Sequence, residues 1–282
     1  MKTYINKLAS YEDAPIQRKV NLDGLDEYIE KNIKYITRKH KKLQKVYDIQ
    51  KGDIVTLDLE SDNPKFNRSM LKLAVGTNMF DKELETALID SLVGEENEYD
   101  IHGHKVNVLI KESIRNKYPT INDQLIEEYT LTQEGLEEIK TVQEYKDYLA
   151  EEYKNDIYLK TIGKNINIIL DYVLSHTDFE FDESEIQCLY DMYMEGAKEG
   201  LKKEGKTLED MSNEELEFIY GVHSLKEFNE YVYNTSKYAV ASTVYLTVLD
   251  GKDPKDYAYE DAYGFGWDIL ENYVKQQMEN IF

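Results

Sequence analysis

The stretch Gly52-Asp53-Ile54-Val55-Thr56-Leu57-Asp58-Leu59 marks a change in the character of the chain. After the Gly-Asp pair, apolar and polar side chains alternate, which is the two-residue period of a β-strand with one buried face. Asp62-Asn63-Pro64 predicts a turn, and a second strand follows through Leu71, Leu73 and Val75, closed by Gly76. These signals begin a small β-rich unit.

The unit continues with a short helix and another strand. Phe80, Leu84, Leu88, Ile89 and Leu92 follow a helical period that Gly94 ends. Tyr99 and Ile101 lead to a turn at His102-Gly103, and the last strand carries Val106, Val108 and Ile110. Strands around one short helix, within residues 51–115, predict an α+β unit with an antiparallel sheet.

Upstream, residues 4–20 have the pattern of an extended segment that ends near Pro15. Asn21 or Asp23 can cap a helix that carries Leu25, Ile29 and Ile36, and we expect this helix to end near Tyr47. Residues 1–50 are therefore predicted to be a linker with a helix that packs with the helical part of the chain. The helix contains a basic stretch, formed by Lys31, Lys34, Arg38, Lys39, Lys41, Lys42 and Lys45.

Downstream of Pro119 the signals are helical almost to the end, which predicts a helical domain over residues 116–282. Ser or Thr followed three residues later by Glu is a capping box, and it occurs at Thr141, Ser212 and Ser224. Asp182 begins another helix that stops near Gly200 or Gly205, and the Gly264-Phe265-Gly266 turn begins the last one at Trp267.

The formal charge of −22 repels phosphate backbones, so nucleic acid is not an expected partner. The basic stretch is either a solvated helix face that pairs with acidic neighbours or a docking site for an acidic partner. Cys188 is the single cysteine, which excludes an intramolecular disulfide. Because it lies in the apolar run Ile186, Leu189, Tyr190, Tyr193, we expect a packed structural thiol.

Known chemical motifs are missing from the sequence. There is no signal-peptide or membrane-span pattern, so a cytoplasmic protein without membrane contact is expected. The sequence has no P-loop, G-x-S-x-G or H-E-x-x-H pattern, and His102 and His104 flank a turn residue without further ligands nearby. We therefore expect no cofactor, no metal and no use of ATP.

In its order of parts the chain resembles trigger factor. The resemblance is carried by Gly52-Asp53-x-Val55-x-Leu57-Asp58, by Phe80 with Glu85, by Gly94-Glu95, and by the helix from Val142 to Val173. It implies a small FKBP-type prolyl isomerase unit inserted into a larger all-α chaperone domain with helical arms. The family's ribosome-docking loop should lie upstream of Tyr4, so ribosome docking is not expected.

The resemblance also implies where an isomerase pocket would lie. Where the family typically has Phe-Ile-Pro-Gly-Phe-Glu, this chain has Phe80-Asp81-Lys82-Glu83-Leu84-Glu85, and the segment from Gly94 to Val106 is too short for the family's flap. Charged residues in the pocket and the lack of a flap over it would let water reach the reacting amide. Water weakens the effect of preorganised dipoles, so we expect impaired catalysis. Leu59, Phe80 and Leu84 then form a plain core, or, with Phe66, a shallow apolar patch for client segments.

The implied function is ATP-independent, chaperone-like binding of unfolded or nascent polypeptide. Tyrosine offers a large apolar face with a polar edge, which suits contact of low specificity. The candidate client-binding tyrosines of the helical part are Tyr153, Tyr190, Tyr193, Tyr231 and Tyr238. Two alternatives stay open: an active prolyl isomerase that assists folding, and a scaffold for one dedicated protein partner.

Overall fold

The computed structural model describes residues 1–278, which pack as two compact units. One unit comprises Asp23–Glu152, and the other joins Met1–Leu22 to the chain from Tyr153 onward. The strands are β1 (Tyr4–Lys7), β2 (Lys42–Lys45), β3 (Ile54–Glu60), β4 (Arg68–Ala74), β5 (Glu96–Ile101), β6 (His104–Lys117) and β7 (Asp178–Glu180). The helices are α1 (Leu25–Lys39), α2 (Lys82–Ala87), α3 (Asp123–Thr130), α4 (Val142–His176), α5 (Glu183–Lys203), α6 (Asn213–Tyr220), α7 (Leu225–Leu249) and α8 (Trp267–Gln277).

A five-stranded antiparallel sheet lies in the Asp23–Glu152 unit. Its order is β2-β6-β3-β4, with β5 paired to β6. Leu57 of β3 pairs with Ile110 of β6, and both side chains are fully buried beneath α2. The mixture of this sheet with helices confirms the predicted α+β fold with an antiparallel sheet and a short helix. The boundaries predicted at residues 50 and 115 stay predictions.

Two helix ends differ from the sequence-based expectation. The helix expected to reach Tyr47 ends at Lys39, because residues 42–45 pair with residues 114–117 of β6 and form the edge strand β2. Lys, Leu and Gln all favour helices locally, but the long-range pairing overrides that preference. The helix expected to end at Gly94 is only α2, and the chain leaves it at Leu88 before a left-handed residue, Asp90.

The other unit is mostly helical, with α5 packed against α7 and a two-stranded sheet of β1 and β7. The predicted capping hydrogen bonds are present, since Ser212 and Ser224 accept from the N–H of Glu215 and Glu227 and, in the sheet unit, Thr141 accepts from that of Glu144. The reciprocal bond of a full capping box forms at Ser212 and Thr141, whereas Glu227 accepts from His223 N–H. The predicted end of the helix from Asp182 is also confirmed, because α5 ends at Lys203. Among residues 1–278, no helix combines the length and the apolar character that crossing a membrane requires.

The environment expected for Cys188 is wrong, because this side chain is exposed on α5. The buried positions of this helix are Ile186 and Leu189, three residues apart. Cys188 precedes Leu189 by one residue, which rotates it by about 100° away from the buried stripe.

Candidate functional site

Two aromatic regions match the sequence-based candidates, one in each unit. The first is the aromatic cluster of the sheet unit, formed by Phe66, Phe80 and His102. The ring centroids of Phe66 and Phe80 are 6.1 Å apart in an edge-to-face arrangement, and His102 stacks on Phe66 at 6.4 Å. Phe66 is 1% exposed and joins the core of the sheet, while Phe80 is half-buried.

Charged side chains cover the aromatic cluster. Lys65 Nζ lies 5.7 Å from the Phe80 ring centroid and 5.0 Å from that of Phe66, and the Arg68 guanidinium lies 5.6 Å from Phe80. Both cations therefore interact with ring faces of the cluster. The arrangement stabilises the cluster and occupies its aromatic surface.

Asp81 holds this cover in place. Its buried carboxylate accepts hydrogen bonds from the N–H groups of Glu83 and Leu84 at the start of α2. Lys65 Nζ donates to Asp81 at 2.5 Å, and His102 Nε2 lies 3.1 Å from the same oxygen. Burial alone would raise the pKa of Asp81, but the hydrogen bonds from Lys65, the Leu84 N–H and His102 lower it to about 2. The carboxylate is therefore ionised at neutral pH and binds both basic groups.

Glu85 fixes the loop that carries Phe80. Its fully buried carboxylate accepts from the N–H groups of Asn78, at 2.7 Å, and Phe80, at 3.0 Å. Burial raises the pKa of Glu85, but hydrogen bonds from Phe80 and Asn78 outweigh it and the net pKa is lowered. Glu85 thus holds the backbone of residues 78–80 that presents the Phe80 ring to Lys65 and Arg68.

The predicted patch residues of the sheet unit lie in its core. Leu59 and Leu84 are almost completely buried, with Phe66, among the apolar side chains of β3, β6 and α2. Their burial favours the core interpretation for these three residues. Phe80 alone keeps a partly accessible ring, beneath Lys65 and Arg68.

The second region is the tyrosine groove of the helical unit, which consists of two clefts that share Tyr193 and Thr235. The larger cleft has a volume of about 560 Å³ and the smaller one about 260 Å³. α5 and α7 form its walls, and the segment between α7 and α8 closes one side. The aromatic residues of its lining are Tyr193, Tyr220, Phe228, Tyr231, Tyr238, Tyr259, Tyr263 and Trp267.

Three aromatic side chains of the groove are much more accessible than Phe66 and Phe80 of the aromatic cluster. Tyr263 is 81% exposed, Tyr231 is 51% exposed and Trp267 is 40% exposed. Between them the floor is apolar or weakly polar, with Leu246, Ala239 and Ala262. A surface of this kind can take up apolar side chains of a second polypeptide without first displacing its own packing.

Gly266 positions the wall that carries Trp267. A Cβ atom at this position would lie 2.5 Å from the backbone oxygen of Leu246 in α7, and its φ of 66° is left-handed. Only glycine combines this φ with so close an approach, so the turn can rest directly on α7. Trp267 then begins α8 at the edge of the groove.

Burial raises the pKa of two phenols that line the groove, Tyr238 and Tyr259. Tyr238 donates to Asp171 at 3.2 Å, and burial together with this carboxylate raises the pKa of Tyr238 to about 12. Burial also raises the pKa of Tyr259. These two hydroxyls therefore stay protonated at neutral pH, and that of Tyr238 already donates to Asp171.

The tyrosines predicted from the sequence to bind clients do not all lie in the groove. Tyr193, Tyr231 and Tyr238 line the groove. Tyr190 lines a separate, polar cleft, where its hydroxyl donates to Asn229 at 3.2 Å. Tyr153 is half-buried on α4 and is not among the described residues that line the groove.

Sequence reasoning missed Tyr220, Tyr259, Tyr263 and Trp267. Three of them lie in or next to the irregular segment between α7 and α8, where periodicity gives no signal. The glycines around Phe265 were a usable sign, since paired glycines indicate close backbone approach.

The chain is similar in sequence to trigger factors. A curated trigger factor from Polaromonas sp. (strain JS666 / ATCC BAA-500) is 24% identical over 220 residues, which is 71% of this chain and 49% of that protein. A trigger factor from Variovorax paradoxus (strain S110) is 23% identical over 223 residues, 71% of this chain and 48% of the relative. The chain is thus trigger-factor-like, and its match spans about half the length of these relatives.

No family model matches the chain. A solved structure of the trigger factor chaperone aligns with 97% of this chain and 71% of its own, at 15% identity and a TM-score of 0.41.

Proposed function

We propose that this trigger-factor-like chain binds non-native polypeptide in the tyrosine groove of its helical unit, as a chaperone that needs no ATP. The observation that carries the proposal is the accessibility of Tyr231, Tyr263 and Trp267 around an apolar floor. Similarity to trigger factors supports the same class of function.

The chemistry of the groove suits clients of varied sequence. Aromatic faces gain from contact with almost any apolar side chain, and neutral phenols can donate to the carbonyls that unfolded segments expose. Burying one leucine side chain is worth about 2 kcal/mol before the cost of association, so each client contact is weak and binding stays reversible. Release then follows dissociation and needs no nucleotide.

The net charge of the helical unit further restricts which client segments it favours. Residues 1–22 and 153–282 contain 16 Lys and Arg against 28 Asp and Glu, a formal charge of −12. Basic segments with apolar residues are favoured at this surface, and acidic ones are disfavoured. Binding of this kind requires only encounter with the client, so ribosome docking is not part of the proposal.

An aggregation assay with matched tyrosine variants tests the proposal. The whole chain, in several-fold excess, is expected to suppress aggregation of a chemically unfolded client, and Tyr231→Ser with Tyr263→Ser is expected to remove most of the effect. The control is Tyr35→Ser with Tyr118→Ser, which changes two exposed tyrosines of the sheet unit. Equal protection by both double variants, or none by the unaltered chain, contradicts the proposal.

A further inference from the structure

The basic stretch of the sequence lies on α1 and β2 of the sheet unit, with most of its cations exposed. Residues 31–47 contain seven Lys and Arg and no Asp or Glu, in a chain whose formal charge is −22. Lys31 and Arg38 are exposed on α1 and lie seven residues apart, hence on one face of the helix. Lys41 and Lys42 continue from the end of α1 into the edge strand β2. We call α1's basic face and β2 together the basic edge.

Several cations of the basic edge have no internal counter-charge. Lys34 pairs with Glu30 at 3.0 Å, and Lys45 pairs with Glu112 at 2.6 Å. Within residues 1–278, by contrast, no ion pair engages Lys31, Arg38, Lys41 or Lys42, nor Lys117 on the adjacent strand β6. The charge of this surface is therefore available to an external anion.

Two lysines at this surface lie close enough to repel each other. Lys42 of β2 and Lys117 of β6 are directly opposite each other in the antiparallel register. Like charges at such positions are destabilising by roughly 0.2–1 kcal/mol. Edge lysines do discourage sheet-to-sheet aggregation, but that role does not require a second lysine opposite Lys42 or a basic face on α1.

A cavity adjoins the basic edge on the sheet. Its volume is about 400 Å³, and Lys45, Tyr47, Met70, Lys72 and Lys111 are part of its lining. Tyr47 is 80% exposed and Met70 is 59% exposed, so two large hydrophobic side chains are accessible to solvent beside the lysines. Thr56 is a buried member of the lining. Such a cavity has room for one apolar side chain.

We propose that the basic edge docks an acidic segment of a partner polypeptide, with one apolar side chain of that segment anchored in the adjoining cavity. The charge complements Lys41, Lys42 and Lys117, and Tyr47 and Met70 hold the anchor. A peptide fits better than nucleic acid, because the chain's net negative charge repels a long polyphosphate but acts little on a short segment. The site differs from the tyrosine groove in place and in charge preference, so either can exist without the other.

Fluorescence anisotropy of the whole chain with two labelled peptides tests this site. One peptide consists of Glu and Ser with a single central Leu, and the other has Ser in place of the Leu. Lys41→Glu with Lys42→Glu is expected to weaken binding of the Leu peptide at least about tenfold, with a loss of its salt dependence. The control is Lys82→Glu with Lys146→Glu, which makes the same charge change at exposed positions of the same unit and is expected to have little effect.

Two further measurements separate docking from general effects. Tyr47→Ala is expected to weaken the Leu peptide about fivefold and leave the Ser peptide unchanged, since only the former has an anchor. Lys42→Glu alone is expected to leave the melting temperature equal or higher, because it replaces the repulsion with Lys117 by attraction.

The proposal is overturned if the two double variants bind the Leu peptide alike. It is also overturned if a single-stranded RNA of equal charge binds more tightly than the peptide and loses its binding in Lys41→Glu with Lys42→Glu. That result would assign the surface to nucleic acid.

Discussion

The aromatic cluster of the sheet unit and the tyrosine groove of the helical unit use similar side chains in opposite ways. In the cluster, Phe66 is buried and the ring of Phe80 lies beneath Lys65 and Arg68. In the groove, Tyr263 and Trp267 have exposed rings around an apolar floor. Aromatic content alone therefore does not identify a binding site. The difference lies in what covers the rings.

The covering groups also bear on the expectation that isomerase catalysis is impaired in the sheet unit. Asp81 ionises, caps α2 and binds Lys65 and His102 at the mouth of the cluster. A charged network of this kind stabilises the unit and opposes entry of an uncharged proline ring. Within residues 1–278, no cation lies over the rings of Tyr231, Tyr263 or Trp267, which are all exposed.

Truncating one ring in each region should give the largest contrast. Phe66→Ala removes a buried ring and is expected to lower the free energy of unfolding by about 3–5 kcal/mol. Tyr263→Ala removes an exposed ring and is expected to change it by less than about 0.5 kcal/mol. Urea denaturation of both variants measures the difference. Similar losses would show that the groove is packed like the cluster and is not open.

The next largest effect on stability is expected at Gly266, which positions one wall of the groove. Gly266→Ala introduces a Cβ that meets the Leu246 carbonyl oxygen in a left-handed conformation, and is expected to cost about 2–3 kcal/mol. Gly251→Ala is the control, because Gly251 has a similar φ of 73° but nothing within 4 Å of the added Cβ. It should cost about 1 kcal/mol. Equal melting temperatures for the two variants would refute the close approach to α7.

Acid should weaken the covered cluster. The pKa of Asp81 is about 2 in the folded chain against about 3.9 when unfolded, so its carboxylate stabilises the fold above pH 4. Linkage predicts that about 2–3 kcal/mol is lost progressively as the pH falls from about 5 to about 1. Asp81→Asn should lose about 2 kcal/mol at pH 7 and then show a weaker pH dependence over that window.

Asp62→Asn is the matched control for that series. Asp62 also lies beside a histidine, His104 at 3.2 Å, but this pair is mostly exposed. The substitution should change stability by less than about 0.5 kcal/mol. If it destabilised the chain as much as Asp81→Asn, the importance assigned to the buried network would be wrong.

The smallest effect is expected for prolyl isomerisation. Because Lys65 and Arg68 cover the ring of Phe80, catalytic amounts of the chain should leave the slow phase of a proline-limited refolding reaction unchanged. Acceleration that Phe80→Ala abolishes would show that the cover opens, and that the cluster is an active site despite its surface charges.

Local signals predicted much of the fold. The alternation from Val55 to Leu59, the three capping motifs and the turn at Gly264-Phe265-Gly266 are each contained within a few residues. β2 could not be predicted in this way, because residues 42–45 become a strand only by pairing with residues 114–117. The exposed position of Cys188 was missed because a one-residue shift in helical phase separates it from the buried stripe.

The groove was predicted only in part, because some of its residues lie on regular helices and others are brought in by long-range contacts. Tyr193, Tyr231 and Tyr238 lie on the regular helices α5 and α7, so their accessibility could be estimated from sequence. Tyr259, Tyr263 and Trp267 join them only because Gly266 rests on Leu246. In the sheet unit, the sequence placed charges at residues 81 and 82, but the covering role of Lys65 and Arg68 depends on distances that no local pattern contains.

The most direct test uses Trp267, the only tryptophan of the chain, as a reporter in the groove wall. An unfolded client without tryptophan, labelled for anisotropy, is titrated while the emission of Trp267 is recorded. We predict a saturable blue shift with the same midpoint as the anisotropy, weakened about tenfold by Tyr231→Ser with Tyr263→Ser. Binding by anisotropy with an unchanged Trp267 spectrum would contradict the assignment of the groove as the client-binding surface.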